Sequence, residues 1–335
     1  MGKIKYLIRK YMNKLRKIFS KIFAKLFNIK RWLPKQIYNV ALTGELSEQC
    51  LEEGALPMLV HYYSPVPDIK DLKARQVWSK RSDLPGIDFR SQFQIDLVKE
   101  LGKEYGDECA WPENQTNDKR EFFTHNGGFS YGCAAVLQTM IRKFKPKNII
   151  EIGSGNSSKI IADALSLNKK ESNEKFNYVV IDPYPSDTTR KKIKEITHLI
   201  DKRVELVDFK EFEILKENDI LFIDSSHTVK IGGDVNFLYL EVLPRLNPGV
   251  IVHVHDIPMP YEYSITYATN PTFRMFWTES YLLQAFLTYN SAFEIMLAMS
   301  TMQTEHMDVF CDAFQKFDLA KNWSNSGSFW IRRKK

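Results

Sequence analysis

The residues best suited to chemistry follow short apolar runs in the middle of the chain. The clearest case is "GVIVHVHD" (249–256), where branched apolar residues are interrupted by His253 and His255 and followed by Asp256. Two histidines and a carboxylate at the end of a buried strand are compatible with core packing, a metal site or catalytic machinery. His253 lies two residues inside the strand, so we interpret it as a core histidine, whereas His255 and Asp256 stand at the strand's end.

A second segment, "FIDSSH" (222–227), brings Asp224 and His227 to the end of another apolar run. Histidine titrates near neutral pH, so His227 is a candidate general base. The alternative for His227 is a helix cap, or a partner that only orients a neighbouring group.

Nearly every apolar run in this region ends in an acidic residue. In open parallel sheets ligands bind beyond the carboxyl ends of the strands, so acids in this layer would line one cleft. The five acids are Glu151, Asp182, Asp208, Asp224 and Asp256.

These positions depend on an alternation of strands and helices from residue 129 onward. Short apolar runs bounded by charged residues are typical of strands covered on both faces, and their alternation with helical stretches predicts an α/β, doubly wound parallel sheet. The predicted strands are 148–153, 178–182, 203–208, 219–224 and 249–256, with helices near 129–144, 157–168, 187–198, 209–217 and 232–246. A helix at 276–290 and two terminal strands, 292–300 and 326–333, complete a seven-stranded sheet.

The loop after the first predicted strand, "EIGSGNSS" (151–158), has the features of a ligand-binding turn. Gly153 and Gly155 allow a sharp turn and a close approach of the backbone to a ligand. Ser158 stands where the dinucleotide fingerprint has its third glycine, which disfavours a pyrophosphate. Glu151 would repel a pyrophosphate and attract a cationic ligand.

S-adenosylmethionine is a cationic ligand of this kind, because it carries a sulfonium, an amino group and a ribose but no phosphate. Asp182 is placed to accept hydrogen bonds from the ribose hydroxyls, and Asp208 from the adenine amino group. The alternative for both acids is a helix cap or a solvated loop residue. The predicted cofactor-binding residues are Glu151, Gly153, Ser154, Gly155, Ser158, Asp182 and Asp208.

Three segments resemble class I S-adenosylmethionine-dependent methyltransferases: "IIEIGSGNSS", "FIDSSHTVKIGGDVNFLYLEVLPRLNPGVIVHVHDI" and "FWTESYLLQAFLTYN". More narrowly, they resemble a bacterial branch that includes sugar O-methyltransferases and cephalosporin-hydroxylase-like proteins. The resemblance spans residues 60–333 and is closest from 125 onward. It implies a Rossmann-like sheet and methyl transfer to oxygen of a carbohydrate or cell-surface glycan intermediate.

The same resemblance implies a divalent metal ion, Mg²⁺ or Mn²⁺, held by Asp224, His255 and Asp256. Asp224 would thereby be catalytic beside His227. The chain departs from its relatives at His255, where they carry an acid, and an imidazole shifts the preference away from Mg²⁺. The relatives also have a carboxylate close to the position of His227.

The first 35 residues form a strongly basic arm, with twelve Lys and Arg and no acid. The remaining chain has 35 basic against 41 acidic residues, which excludes a nucleic-acid footprint on the body. Apolar residues of the arm recur at helical spacing, which predicts an amphipathic helix on an anionic membrane surface. The alternative is a helix docked on its own domain or on a partner. The arm has no apolar run long enough to span a membrane.

The predicted organisation has three parts: the helix at 1–35, an extension at 36–125 and the cofactor-binding methyltransferase domain at 126–335. The extension would supply an acceptor pocket or lid, with Tyr62 and Tyr63 stacking on a ring. The segment 124–132 would close over the cofactor.

Four widely spaced cysteines are typical of reduced thiols in the cytoplasm, and the basic arm allows a peripheral position on the inner membrane. The expected acceptor is a small molecule or glycan, and a homo-oligomer is compatible with the sequence. Two rival functions remain: a non-catalytic binding module of the same fold, and an NAD-dependent oxidoreductase.

Overall fold

The computed structural model describes residues 29–318 and 326–334. The chain divides into two compact units, residues 1–75 and 76–335. The predicted amphipathic arm lies outside the described residues up to position 28. Within the described ranges, no helix has the length and apolar character needed to cross a membrane.

The described part of the N-terminal unit consists of three helices: α1 (Ile29–Thr43), α2 (Ser47–Glu52) and α3 (Ile69–Ala74). Neither α2 nor α3 contains a buried residue. Large apolar side chains are exposed along the unit, among them Trp32, Leu33, Ile37, Tyr38, Leu42, Tyr62 and Tyr63.

The second unit is built on a seven-stranded sheet with the order β3-β2-β1-β4-β5-β7-β6. The first five strands pair in parallel, and β7 pairs antiparallel with both β5 and β6. The strands are β1 (Asn148–Ile152), β2 (Asn177–Ile181), β3 (His198–Ile200), β4 (Ile220–Ile223), β5 (Ile251–Val254), β6 (Phe293–Ala298) and β7 (Phe329–Arg333). The predicted seven-stranded Rossmann-like sheet is therefore confirmed.

Helices cover the sheet on both faces. They are α4 (Ser91–Tyr105), α5 (Tyr131–Phe144), α6 (Asn156–Ser172), α7 (Asp187–Lys191), α8 (Asp234–Phe237), α9 (Ile265–Thr269), α10 (Glu279–Leu287), α11 (Met299–Glu305) and α12 (Met307–Ala313). Successive strand residues enter two separate cores: Ile251 packs in one and Val252 in the other. This alternation explains why the central strands are mostly apolar, since both of their faces are buried.

The third strand was assigned wrongly from the sequence. Residues 204–206 form a 3₁₀ turn, and the strand that pairs with β2 is the three-residue β3. Val204 and Val207 are nevertheless buried, so the apolar pattern of this segment reports burial without strand geometry. Asp201 is the acid nearest the end of β3, seven positions before Asp208.

Part of the predicted extension belongs to the core. Leu97, Val98 and Leu101 on α4 are buried in the same core as α5. At Gly102 a β-carbon would lie 2.3 Å from the carbonyl oxygen of Ala313, so α4 and α12 meet backbone to backbone. Residues 91–105 are therefore part of the hydrophobic core that packs on the sheet. The domain boundary placed after residue 125 stays a prediction.

Candidate active site

The loop between β1 and α6 lies against the backbone that follows β4, the strand that pairs with β1. Gly153 has a positive φ of 76°, and a β-carbon there would lie 2.2 Å from the carbonyl oxygen of Asp224. Only glycine permits this conformation and this approach. At Gly155 a β-carbon would meet no atom within 4 Å, so this glycine faces open space at the carboxyl end of the sheet.

Asp182, directly after β2, holds the glycine loop. Its carboxylate accepts hydrogen bonds from the backbone N–H of Ser154 at 3.0 Å and from its hydroxyl at 2.5 Å. The N–H of Tyr184 donates to the other oxygen at 2.7 Å. The predicted positions of Ser154 and Asp182 beside the loop agree with the geometry, and their contacts with a cofactor remain a prediction.

Glu151 and Ser158 lie beneath the loop and have no exposed side chain. Glu151 accepts hydrogen bonds from the hydroxyls of Ser157, Ser158 and Tyr178. Ser158 also accepts the N–H of Gly155 at 3.0 Å. This is a correction to the sequence interpretation, because both residues shape the loop from inside and offer no direct contact to a ligand.

Burial raises the pKa of Glu151 to about 7, against the three hydroxyl hydrogen bonds that lower it. The carboxyl group is thus poised between its neutral and charged forms at neutral pH, inside the protein and away from solvent.

Asp208 is exposed and does not end a strand. Its carboxylate accepts the N–H of Lys210 at 3.0 Å and caps a 3₁₀ turn over Phe209–Phe212. The prediction that Asp208 ends a strand is therefore wrong, and with it the reason for placing this residue at the adenine site. Asp208 caps a turn instead, which is the alternative role that its sequence position allowed.

Three side chains after β4 and β5 converge on one point. Nε2 of His227 lies 3.1 Å from Oδ1 of Asp224 and 3.8 Å from Oδ2 of Asp256. One ligand atom from each of the three lies within 4.8 Å of the others, which is compact enough for a shared cation. We call these three residues the carboxylate–histidine group.

Glu279 fixes the ring of His227 from the other side and was missed by sequence reasoning. It is fully buried at the start of α10, and its Oε2 lies 2.8 Å from Nδ1 of His227. The backbone N–H groups of Thr278 and Glu279 donate to the carbonyl of His227. Trp277 packs on the same ring at 4.5 Å between centroids. Nε2 therefore points at the two aspartates.

Charge around His227 favours the imidazolium form. Burial lowers the pKa of His227, but its hydrogen bonds with Asp224 and Glu279 and the charge of these carboxylates raise it to about 10. Burial likewise opposes ionisation of Asp224, yet the nearby His255 and His227 rings lower its pKa. The raised pKa favours the protonated ring in this ion-free arrangement, and the role of His227 as a general base stays a prediction.

His253 has the core position expected from the sequence. His255 does not belong to the carboxylate–histidine group, although the sequence placed it with the two aspartates. His253 is buried, contacts Ser328 Oγ at 3.0 Å, and has a pKa well below its usual value because of burial, so it is a core residue. His255 stacks on Phe129 at 4.8 Å between centroids, and its Nε2 lies 3.7 Å from Oδ1 of Asp256. His227, instead of His255, completes the compact group with the two aspartates.

A cavity of about 360 Å³ adjoins Asp256. It opens between the loop after β5, the helix α11 and the segment before β7. Its lining is Trp78, Asp256, Pro258, Tyr261, Glu262, Tyr263, Ser264, Ile265, Tyr267, Ser300, Gln303, Thr304, Ser326 and Gly327. Sequence reasoning had placed the acceptor pocket in residues 36–125, and of these only Trp78 lines this cavity.

Two further predictions concern contacts with a ligand: stacking of Tyr62 and Tyr63 on a ring, and closure of the segment 124–132 over a cofactor. Tyr62 and Tyr63 are 94% and 87% exposed and belong to the N-terminal unit. In the segment 124–132, Oδ1 of Asn126 accepts a hydrogen bond from Nδ2 of Asn156 at 3.0 Å, which ties this segment to the start of α6. The predicted closure of 124–132 over a cofactor stays a prediction.

Comparison with known proteins gives a match to a domain family and to a related chain. Residues 150–257 match the family model described as a methyltransferase domain. An uncharacterised protein of Archaeoglobus fulgidus is 37% identical over 167 residues, which are 48% of this chain and 74% of that protein.

Solved structures that the chain matches include a plantazolicin methyltransferase in complex with a triazolic desmethylPZN analogue and S-adenosylhomocysteine, at 13% identity and a TM-score of 0.37. The match covers 72% of this chain and all of that one. Loganic acid methyltransferase with S-adenosylhomocysteine matches at 9% identity and a TM-score of 0.36, over 67% of this chain and 99% of that one.

Proposed function

We propose that the chain is a class I S-adenosylmethionine-dependent methyltransferase that methylates a hydroxyl oxygen of a carbohydrate or glycan intermediate, a proposal supported by the methyltransferase-domain match over residues 150–257. The observation that carries the proposal is the carboxylate–histidine group, which lies after β4 and β5 at the same end of the sheet as the glycine loop. A methyltransferase for oxygen needs a charged group here, because the hydroxyl must lose its proton as the methyl arrives.

The cofactor would occupy the space in front of Gly155. The absence of any described atom within 4 Å of a β-carbon at Gly155 leaves room for the ligand against the backbone. Asp182, held by three hydrogen bonds at the end of β2, would accept the ribose hydroxyls with its remaining lone pairs. The site is rigid before the ligand arrives, which reduces the entropic cost of binding.

Methyl transfer is an in-line displacement at the sulfonium carbon. The bond from that carbon to the acceptor oxygen forms as the carbon–sulfur bond breaks, and S-adenosylhomocysteine leaves. Asp256 is the candidate acceptor of the hydroxyl proton, because its carboxylate faces the cavity. Among the described residues its charged contacts are the two histidine rings at 3.7 and 3.8 Å. The protein's task is to align the two reactants and to receive this proton.

The carboxylate–histidine group also fits a divalent ion. Two carboxylates and one imidazole nitrogen converge, and Glu279 takes up the other ring nitrogen, as outer carboxylates do for metal-bound histidines. Asp224, His227 and Asp256 would hold Mg²⁺ or Mn²⁺, and a bound ion would lower the pKa of an acceptor hydroxyl. This set keeps the two aspartates of the sequence prediction and replaces His255 by His227.

The basic arm supports a second proposal, that the enzyme works on an anionic membrane surface. The described end of the arm continues as α1, which exposes Trp32, Leu33 and Ile37. Aromatic and aliphatic side chains beside a run of lysines are typical of interfacial helices. The full-length protein should sediment with anionic vesicles at low salt and not with neutral ones. Equal sedimentation with both, or with neither, would contradict the proposal.

The methyl-transfer proposal is tested with labelled S-adenosylmethionine and cell-envelope extracts, with and without EDTA and added Mn²⁺. We expect label in a hydroxyl ether of a carbohydrate. A binding module of the same fold would transfer no label to any acceptor. Label on nitrogen, or on a protein alone, would contradict the acceptor class and leave the methyltransferase assignment intact.

A further inference from the structure

The cavity beside Asp256 has one aromatic side that is built into the active site. Trp78, Tyr261 and Tyr267 contribute rings to its lining. Tyr267 packs edge-on against Trp277 at 4.7 Å, and Trp277 packs on His227 at 4.5 Å. Tyr263 is anchored by the N–H of Ser280, which donates to its hydroxyl at 2.9 Å. The wall is therefore continuous, through ring contacts, with the carboxylate–histidine group.

Another part of the cavity lining is polar and is held in place by its own hydrogen bonds. Nε2 of Gln303 donates to the hydroxyl of Ser326 at 2.9 Å, and the hydroxyl of Ser300 donates to the carbonyl of Met259 at 2.7 Å. A hydroxyl with a further lone pair, such as that of Ser300, can pair with a hydroxyl group of a ligand. A lining that combines aromatic rings with hydroxyls suits a ring that has apolar faces and hydroxylated edges.

The charges of the lining are acidic. Asp256 and Glu262 are the charged side chains among the described residues that line the cavity, and no lysine or arginine is among them. Arg81, which lies near in sequence to Trp78, is paired with Glu305 at 2.6 Å. A phosphate or carboxylate in the cavity would face two like charges without a described partner, which disfavours its binding.

From these observations we infer that the cavity is the acceptor site and takes an uncharged, hydroxylated ring, without a phosphate on the part that enters. The inference rests on the proposed function and narrows its substrate class. A volume of about 360 Å³ is at the lower end of small-molecule sites, which suits one sugar ring. An ammonium acceptor would also meet favourable charge here. However, the two carboxylates would keep it protonated, and a protonated amine has no lone pair to attack the methyl group.

The test is saturation-transfer NMR on the full-length protein loaded with S-adenosylhomocysteine. The probes are methyl glucopyranoside, galactopyranoside and mannopyranoside, each beside its 6-phosphate. We expect at least one neutral pyranoside to bind, with its 6-phosphate at least about tenfold weaker. Equal or tighter binding of the phosphates, or no binding of any pyranoside, would overturn the inference.

Variants assign the binding to this cavity. Tyr267→Ala and Trp78→Ala should each reduce the pyranoside signal about fivefold or more, because packing of a ring against an aromatic face contributes binding free energy of this order. Tyr267→Phe keeps the ring and should bind as the wild type does. Phe273→Ala removes an exposed ring outside the lining and should also have no effect. Unchanged binding in both alanine variants at Tyr267 and Trp78 would overturn the assignment.

Failure of this inference is distinguishable from failure of the proposed function. Labelled methyl transfer to an envelope carbohydrate, together with pyranosides that do not compete for it, would reject the cavity and retain the reaction. Loss of label transfer to any hydroxyl acceptor would reject the reaction itself.

Discussion

The two halves of the candidate site differ in how completely their polar groups are satisfied. In the half after β1 and β2, Asp182 accepts three hydrogen bonds from the adjacent loops. Glu151 accepts hydrogen bonds from three hydroxyl groups in the protein interior. In the half after β4 and β5, Asp224 and Asp256 both face the ring of His227, and Asp256 also lies 3.7 Å from His255. The carboxylates of the first half therefore have their hydrogen-bond partners without a ligand, whereas the second half brings two carboxylates close together.

This difference separates two tasks of the site. A pre-formed cradle suits a cofactor that is the same in every turnover, because no group has to move when it binds. Two carboxylates that meet beside histidine rings suit the step at which a proton is displaced and charge changes. We therefore expect variants in the second half to alter turnover and variants in the first half to alter binding or stability.

The largest effect is expected in the second half, from Asp224→Asn. The change keeps the shape of the side chain and removes the charge that faces His227. Turnover should fall about 1,000-fold, the range for a removed acid–base or charge-stabilising group, while the affinity for S-adenosylhomocysteine stays within about threefold. Initial rates and calorimetric titration measure the two quantities. Unchanged turnover, both in Asp224→Asn and in the wild type with EDTA, would remove the group from the mechanism.

The junction of the two halves is the next most sensitive point. Gly153→Ala would place a β-carbon 2.2 Å from the Asp224 carbonyl and force a positive φ on alanine. We expect a loss of about 3 kcal/mol or more in the free energy of unfolding. Urea denaturation followed by circular dichroism measures it.

Gly155→Ala is the matched control for the glycine loop, since its β-carbon meets no atom within 4 Å. Its stability should lie within about 0.5 kcal/mol of the wild type, as for other substitutions that touch nothing. The affinity for S-adenosylhomocysteine should nevertheless fall, because the new methyl group enters the ligand's space. A stability loss in Gly153→Ala as small as that in Gly155→Ala would contradict the close backbone approach at Gly153.

The raised pKa of the buried Glu151 carboxyl group predicts that the free energy of unfolding depends on pH. Glu151 has a folded pKa of about 7 against an ordinary value of 4.5, so the folded state keeps a proton that the unfolded state releases. Its contribution to stability is therefore lost as the pH rises from about 4.5 to 7, by about 3 kcal/mol in total.

Glu151→Gln removes this dependence. Relative to the wild type, the variant should gain about 3 kcal/mol between pH 4.5 and pH 8, measured by urea denaturation across that range. The exposed Glu104→Gln is the control for the change of charge. A variant whose stability differs from the wild type by the same amount at every pH would contradict the raised pKa.

The smallest expected effect distinguishes His227 from His255 as a metal ligand. His227→Ala should weaken Mn²⁺ binding at least about tenfold, whereas His255→Ala should change it by less than about threefold, because Glu279 aims only His227 at both aspartates. Mn²⁺ titration followed by electron paramagnetic resonance measures both variants. The reverse order would restore the set expected from the sequence: Asp224, His255 and Asp256.

The sequence predicted the strands that are long and doubly buried, and it failed where burial and conformation diverge. β1, β2, β4 and β5 are continuous apolar runs because both faces of each strand are covered. β3 has only three residues at the sheet edge and produces no periodicity. Val204 and Val207 nearby are apolar because a 3₁₀ turn buries them, and this pattern imitates a strand.

The positions of Asp182, Asp224 and Asp256 at the ends of strands were predictable, because each follows an apolar strand within two residues. The cavity was not predictable, because Trp78, Tyr261 and Tyr267 are brought together only by the tertiary fold. Glu279 gave no distinct signal either, since an acid in the first turn of a helix is also favoured by the helix dipole. Its burial against His227 is visible only in the structure.

The central claim, that the half after β1 and β2 is a cradle for S-adenosylmethionine, is tested most directly by calorimetric titration of the full-length protein. The ligands are S-adenosylmethionine, S-adenosylhomocysteine and NAD. The account predicts saturable binding of both methionine derivatives, weakened in Gly155→Ala, and no binding of NAD. Binding of NAD alone, or of neither methionine derivative, would contradict it.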